Sequence, residues 1–333
     1  MRTEVVDKDT QRTHDAALSK RGWAALPSSY RLPEVAPTLD EARIYCRRLA
    51  ESHYENFHVA SWFLPKALRP HFHALYAYCR IADDLGDEVG DPQQALALLD
   101  LWGRELDACY EGRTLHPVFV SLAETIRICS IPKEPFADLL TAFRQDQTIT
   151  RFASMKEVLA YCRYSANPVG RLVLYACGAA DEKRFLLSDA TCTALQLANF
   201  WQDVSRDFAK GRVYLPQDAM RRLGVSDETI AAGIAVPEFR ALLREEVAFT
   251  RGLFEDGLPL IGMVGRDLAV DLDLFSRGGL EVLRAIERRD YDVLGSRPVV
   301  SRSAKLKLLL RAVAGKSLPF LRLGAPFTCK TAQ

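Results

Sequence analysis

Two short stretches of the chain carry aspartates at a spacing that a helix turns into neighbours. In Tyr76-Ala-Tyr-Cys-Arg80-Ile-Ala-Asp83-Asp84-Leu-Gly-Asp87-Glu88, Asp83 and Asp87 share one helix face, and residues so spaced lie about 5–6 Å apart at Cβ. Arg80 stands one turn before Asp84. Like charges at this spacing lower helix stability by a few tenths of a kcal/mol, so the pair calls for a cation or a basic partner, although DxxxD also occurs on solvated faces. In Gln196-Leu-Ala-Asn199-Phe-Trp-Gln-Asp203-Val-Ser-Arg-Asp207, the residues Asn199, Asp203 and Asp207 form one stripe flanked by Leu195, Leu197, Phe200, Trp201 and Val204. A carboxylate buried among such neighbours without a partner costs several kcal/mol, which solubilising charge does not explain.

Two such helices facing each other would gather four or five carboxylate oxygens. That donor set suits Mg²⁺, a hard ion that keeps several waters and is held by a few carboxylates together with the phosphates of a substrate. A calcium loop needs ligands at alternate positions around a central Gly, and a carboxylate-bridged di-iron centre needs Glu-x-x-His; neither pattern is present. His58, His71, His73 and His116 have no partners at metal-ligand spacing and read as packing or surface residues.

The elements that must position these groups are helical. From Leu39 to about Leu310, apolar residues recur at three- and four-residue spacing, broken by Pro and Gly, while alternating runs are nearly absent. Helices are expected near 39–51, 68–88, 92–110, 117–129, 134–146, 154–165, 168–178, 184–209, 215–222, 238–256, 262–288 and 302–313. The class is all-α. No self-similar period and no Pro/Gly/Ser-rich linker divides the middle, so 333 residues are expected to form a flexible polar extension (1–38), one helical domain (39–313) and a basic tail (314–333).

Forty-four Lys and Arg against 43 Asp and Glu leave a formal charge of +1, so phosphate binding must come from a local cluster and a general nucleic-acid binder is excluded. Eight cysteines at irregular spacing, without CxxC, read as reduced, buried small hydrophobes. The N-terminus has no apolar core for a signal peptide, and no run reaches the roughly 18 apolar residues of a membrane span, so the protein is expected on the cytoplasmic side. After Asp292 no acidic residue appears, whereas Arg297, Arg302, Lys305, Lys307, Arg311, Lys316, Arg322 and Lys330 stand among Leu, Val and Phe. Such a segment either docks peripherally on anionic lipid at the inner membrane face or packs on the bundle with a charged outer face.

Taken together, His53-Tyr-Glu-Asn-Phe57, Tyr76 to Asp87, Tyr161-Cys-Arg-Tyr-Ser-Ala-Asn-Pro-Val-Gly170, Gln196 to Asp207, Gly211-Arg-Val-Tyr-Leu-Pro216, Arg277 and Tyr291-Asp-Val-Leu294 resemble the trans-prenyl head-to-head synthases, the squalene/phytoene synthase family. The resemblance runs from about His53 to Lys307 and implies an all-α isoprenoid-synthase bundle with a central cavity, two aspartate-rich helices, Mg²⁺ and a diphosphate. On that resemblance, Asp83, Asp84, Asp87, Asn199, Asp203 and Asp207 would hold the metal. His53, Phe57, Tyr76, Arg80, Gln196, Asn167 and Arg277 would contact substrate, with Arg206 and Arg212 as weaker candidates, and Tyr161 would lie near the reacting carbons.

Within the family, His53 to Pro65 and Ser165 to Arg171 look most like the bacterial hydroxysqualene synthases, which turn presqualene diphosphate into hydroxysqualene. Condensing members usually carry a basic residue where Glu55 stands, and dehydrosqualene-type members a Tyr in the region that here reads Leu258-Pro-Leu-Ile-Gly. Both departures suit an enzyme that holds one diphosphate. The implied chemistry is loss of diphosphate, charge stabilisation by metal and Arg, and protection of a carbocation by apolar walls. Wall candidates are Phe57, Trp62, Phe63, Phe143, Phe200, Trp201 and Phe275, with Tyr164 and Asn167 placed to hold a capturing water. The implied pathway partners are a presqualene diphosphate synthase and a hydroxysqualene reductase. The rival readings are a condensing synthase making presqualene diphosphate, squalene or phytoene, and a non-catalytic helical assembly protein.

Overall fold

The structure, a computed structural model, describes residues 30–52 and 65–317. Among them no strand occurs; the one β-type contact is an isolated bridge between Arg151 and Val213. The expected all-α class is what the chain adopts. Its internal contacts fall into two compact units, one made of described residues 30–52, 70–128 and 143–148, the other of 65–69, 129–142 and 149–317.

The first unit holds α1 (Leu39–Ser52), α2 (Arg69–Asp87), α3 (Pro92–Tyr110) and most of α4 (Pro117–Cys129). Local chemistry sets the helix starts. Thr38 and Glu41 cap α1 reciprocally, the Thr38 amide donating to the Glu41 carboxylate at 2.8 Å and the Glu41 amide to Thr38 Oγ1 at 3.4 Å. Asp91 caps α3, accepting from the Gln93 amide at 2.9 Å, and Pro92 takes the first helical position, where no amide proton is needed. Helix α2 buries Phe72, Leu75, Tyr78, Ile81 and Leu85 along one face; Tyr78, Trp102 and Phe119 pack ring on ring, with centroids 4.5–6.0 Å apart. That packing fixes the rotation of α2 and so decides which way Asp83, Asp84 and Asp87 point.

The second unit is organised on α8 (Glu182–Gln202). Around it lie α6 (Met155–Ser165), α7 (Asn167–Ala176), α12 (Pro237–Gly257) and α13 (Arg266–Glu287); α5 (Glu134–Gln145) and the short α9 (Val204–Ala209), α10 (Gln217–Leu223) and α11 (Asp227–Ala231) complete the chain order before α12. Close approach to α8 uses glycine. A Cβ at Gly170 would sit 2.3 Å from Ser188 Oγ, and one at Gly257 2.1 Å from Thr191 Oγ1, so neither position admits a side chain without displacing a neighbour. Trp201, fully buried, donates its indole N–H to Thr250 Oγ1 at 2.7 Å and ties α8 to α12.

The expected helices are recovered with four differences, one of them the unexpected short helix α11 (Asp227–Ala231). The run expected as one helix over 184–209 ends at Gln202 and restarts at Val204, because Asp203 takes φ −107°, ψ 15°. The stretch expected at 262–288 begins with a 3-10 turn, Leu258–Met263, before α13. The last helix, α14 (Arg302–Ser317), runs into the segment expected as tail. Two further expectations need correction or narrowing. Tyr30, placed in the loose extension 1–38, is buried and hydrogen-bonded; His53, Phe57, Glu55, Trp62 and Phe63 lie outside the described residues.

Candidate active site

In the first unit the acidic cluster is built on the last two turns of α2. Asp84 is 4% exposed, and its two oxygens are taken up by Tyr30, whose hydroxyl donates to Oδ2, and by Arg80, whose Nη2 donates to Oδ1. Burial and the adjacent Asp84 carboxylate raise the Tyr30 hydroxyl well above its ordinary pKa, so it stays a donor at any working pH. Arg80 also reaches Asp83 Oδ2 and Glu88 Oε1, both at 3.3 Å. Asp84 therefore anchors Arg80 within the cluster. The Asp83 side chain is 44% exposed and Asp87 is exposed, one turn apart on the outward face. Tyr76 sits half-buried one turn before Arg80. A groove of about 800 Å³ in this unit is lined by Tyr30, Ile44, Tyr45, Arg48, Leu49 and Pro117; of the groups around the acidic cluster only Tyr30 borders it.

The second cluster surrounds the break between α8 and α9. Arg297 grips Asp203 with two parallel bonds, Nε to Oδ1 at 2.6 Å and Nη2 to Oδ2 at 2.7 Å, and donates to Gln202 Oε1 at 2.8 Å. Gln202 in turn donates to the Pro298 carbonyl at 2.6 Å. These contacts hold the chain after Leu294 against the end of α8 and account for the interruption of the helix. Arg206 lies 3.6 Å from Asp203 on the exposed side. The Asp207 carboxyl is pushed up to about 6, first by burial and then by the charge of Asp203, against the pull of Lys210, Arg212 and Arg206. Asn199 is exposed one turn before Asp203, and Gln196 half-buried one turn before that.

Beside this cluster stands a group of aromatic rings. Phe200 and Tyr214 are stacked with centroids 3.6 Å apart and planes 4° from parallel; Tyr161 lies 6.2 Å from Phe200 and 6.0 Å from Tyr214, and Phe152 5.5 Å from Tyr161. The Arg151–Val213 bridge, with Val213 donating to the Thr150 carbonyl at 2.9 Å, brings Phe152 and Tyr214 together. Asn167 begins α7 and accepts from Thr193 Oγ1 at 2.9 Å in a buried position.

Arg277 bonds within α13. Its Nε donates to Asp273 Oδ1 at 2.7 Å, and Asp273 Oδ2 accepts from Arg311 of α14 at 2.7 Å. The guanidinium that grips Asp203 with two bonds is Arg297, which in the sequence stands out only as one of the basic residues after Asp292. It contacts Asp203 across a separation of 94 residues, and helical periodicity carries no sign of so distant a pairing. Tyr214 had a signal, since Gly211 to Pro216 is one of the motifs, but no role followed from it.

The donors fit a divalent ion in kind: all are hard oxygens, and the second cluster holds two carboxylates close enough to raise one of them. Among the described residues, no three His, Cys, Asp or Glu side chains already close on one point. Negative charge with a guanidinium, beside an aromatic wall on an all-helical frame, defines the equipment of an isoprenoid synthase.

The chain belongs to the squalene/phytoene synthase family, whose model matches residues 35–304. It resembles the crystal structure of the squalene synthase HpnC from Alicyclobacillus acidocaldarius at 42% identity and TM-score 0.74, over 81% of this chain and 99% of that one. A dehydrosqualene synthase solved with a ligand matches at 25% identity and TM-score 0.75, over 83% and 96%. Phytoene synthase of Thermus thermophilus is 32% identical over 84% of this chain and 95% of its own length, and phytoene synthase 1 of Zea mays 29% over 95% and 80%.

Proposed function

We propose that this protein is a hydroxysqualene synthase, taking presqualene diphosphate to hydroxysqualene and diphosphate. The observation that carries the ionisation chemistry is the second cluster, Asp203 and Asp207 with Arg297 beside the Tyr161, Phe200 and Tyr214 rings. Mg²⁺ is the cofactor of this reading: Asp83 and Asp87 would hold it in one unit and Asn199, Asp203 and Asp207 in the other, and when bound it stabilises the departing diphosphate. Arg80 and Arg297 add donors to the leaving group, and Asp84 and Tyr30 keep Arg80 oriented. His53, Phe57, Tyr76, Gln196 and Arg277 remain proposed substrate contacts, with Arg277 held in place by its bond to Asp273.

Loss of diphosphate leaves a carbocation whose early capture must be prevented. The π faces of Phe200 and Tyr214 stabilise positive charge without attacking it, and buried Tyr161 adds a third ring. Asn167 and Tyr164 are the polar groups on the neighbouring helices proposed to hold the water that ends the reaction; the Asn167 side-chain N–H₂ remains a donor once its oxygen has taken Thr193. Balance is simple: water adds across the cation, its oxygen forms the C–O bond, and one proton leaves. The one-diphosphate specificity rests on Glu55 and on the tyrosine-free turn Leu258–Met263.

A condensing synthase acting on two prenyl diphosphates is the second reading, favoured by the phytoene synthase relatives. Incubation with Mg²⁺ and either farnesyl or presqualene diphosphate, with and without NADPH, separates the two. The proposal expects presqualene diphosphate to be consumed without nicotinamide and farnesyl diphosphate to persist; the reverse pattern assigns the condensing branch. A presqualene diphosphate synthase upstream and a hydroxysqualene reductase downstream are the pathway partners this assignment requires.

A further inference from the structure

Helix α14 is apolar on two opposite sides. One side packs on α13: Ala312 is buried against Val270 and Leu274, Arg266 donates to the Gly315 carbonyl at 2.7 and 3.0 Å, and Arg311 binds Asp273. On the other side Leu306, Leu309, Leu310 and Val313 follow at i, i+3, i+4 and i+7, the spacing of a single stripe, and are 56, 42, 59 and 47% exposed. Lys305 and Lys316 border that stripe on one edge and Lys307 on the other, with Arg302 at its first turn. From Val293 to the end of the sequence there are eight basic residues and no acidic one.

A water-facing surface helix gains nothing from four exposed aliphatic side chains in a row. A second copy of the chain is a poor occupant, since pairing two such faces would bring Arg302, Lys305 and Lys307 of each copy against one another, six like charges in all, while among the described residues only Lys316 on this rim is paired, with Asp267 at 3.8 Å. An anionic bilayer meets both properties at once: the aliphatic stripe enters the acyl boundary while the long Lys and Arg stems lie along it and their charges reach the headgroups. No helix among the described residues is long and apolar enough to cross a membrane, so the contact is peripheral.

We propose that the outward face of α14, centred on Leu306 and Leu310 and rimmed by Lys305 and Lys307, is a docking surface for anionic phospholipid. None of its residues belongs to either acidic cluster. The test is co-sedimentation of the full-length protein with vesicles of phosphatidylcholine alone or with 30% phosphatidylglycerol, alongside the variants Leu306→Ser/Leu310→Ser and Lys305→Gln/Lys307→Gln. All four side chains are exposed and none is a member of the clusters, so folding and turnover of a soluble substrate analogue serve as controls. Wild type should bind the anionic vesicles and release as salt rises. The lysine pair should weaken binding roughly tenfold or more, from the usual share of each basic residue near an anionic surface, and the leucine pair should abolish it on both lipids. Equal binding by wild type and both variants would place the contact elsewhere and overturn the proposal. So would absence of binding, or a wild-type dimer that the leucine variant dissolves without any lipid binding.

Discussion

Asp271 sits on α13 with both carboxylate oxygens sealed from solvent and no hydrogen-bond partner among the described residues. Burial, first of all, pushes its carboxyl up to about 8 from 3.8; the charge of Asp267 adds to this, and Lys316 opposes it. Between those two values the folded protein binds a proton that the unfolded chain has released, so stability falls as pH rises. From pH 4 to pH 7 the ceiling on that loss is about 4 kcal/mol, at roughly 1.36 kcal/mol for each pH unit. Asp271→Asn keeps the shape and removes the titration. In thermal melts across pH 4–9, the variant should gain on wild type steadily from pH 4 to 8 and then level off, by several degrees at about 2 °C per kcal/mol for a chain of this size. A gap that stays flat with pH, or one that closes as pH rises, would mean that Asp271 is ionised and paired and would refute this account of α13.

Four further substitutions probe the clusters. Asp87→Ala and Asp203→Ala should each lower turnover at least about a hundredfold with the fold retained, as when one charge-stabilising contact is removed, and steady-state kinetics with circular dichroism checks both halves of that statement. Arg297→Gln should cost about 1–2 kcal/mol in denaturant unfolding, because Asp203 loses a bidentate partner. Added Mg²⁺ should restore most of that loss; no recovery would count against a cation at Asp203. Tyr30→Phe leaves one oxygen of buried Asp84 without its donor, and should destabilise the protein by about 1–2 kcal/mol in the same assay.

The periodicity of the sequence carried nearly all of the helices because most are amphipathic and begin at recognisable caps, as α1 does at Thr38 and α3 at Asp91 and Pro92. It failed where a long-range contact overrides local preference. Nothing local marks the break at Asp203, which follows from Arg297 and Pro298 binding the end of α8 from the far side of the sequence. The five-residue α11 is too short for an amphipathic pattern to show. Asp83, Asp84 and Asp87 were visible as acidic residues, but their different fates were not: the rotation of α2 about the Tyr78, Trp102 and Phe119 rings buries Asp84 and leaves Asp83 and Asp87 outward. The partner of Arg277 was legible, since an arginine on a helix finds its nearest carboxylate one turn away, as Arg277 does with Asp273; the pairing of Arg297 with Asp203 was not.

Under the proposed function, water ends the reaction on presqualene diphosphate. Incubation of the purified protein with presqualene diphosphate and Mg²⁺ in ¹⁸O-water, without nicotinamide, followed by mass spectrometry of the lipid product, tests it most directly. The account predicts a C30 alcohol carrying the heavy isotope. An unlabelled hydrocarbon formed only when NADPH is supplied, or no consumption of presqualene diphosphate while farnesyl diphosphate disappears, would contradict it.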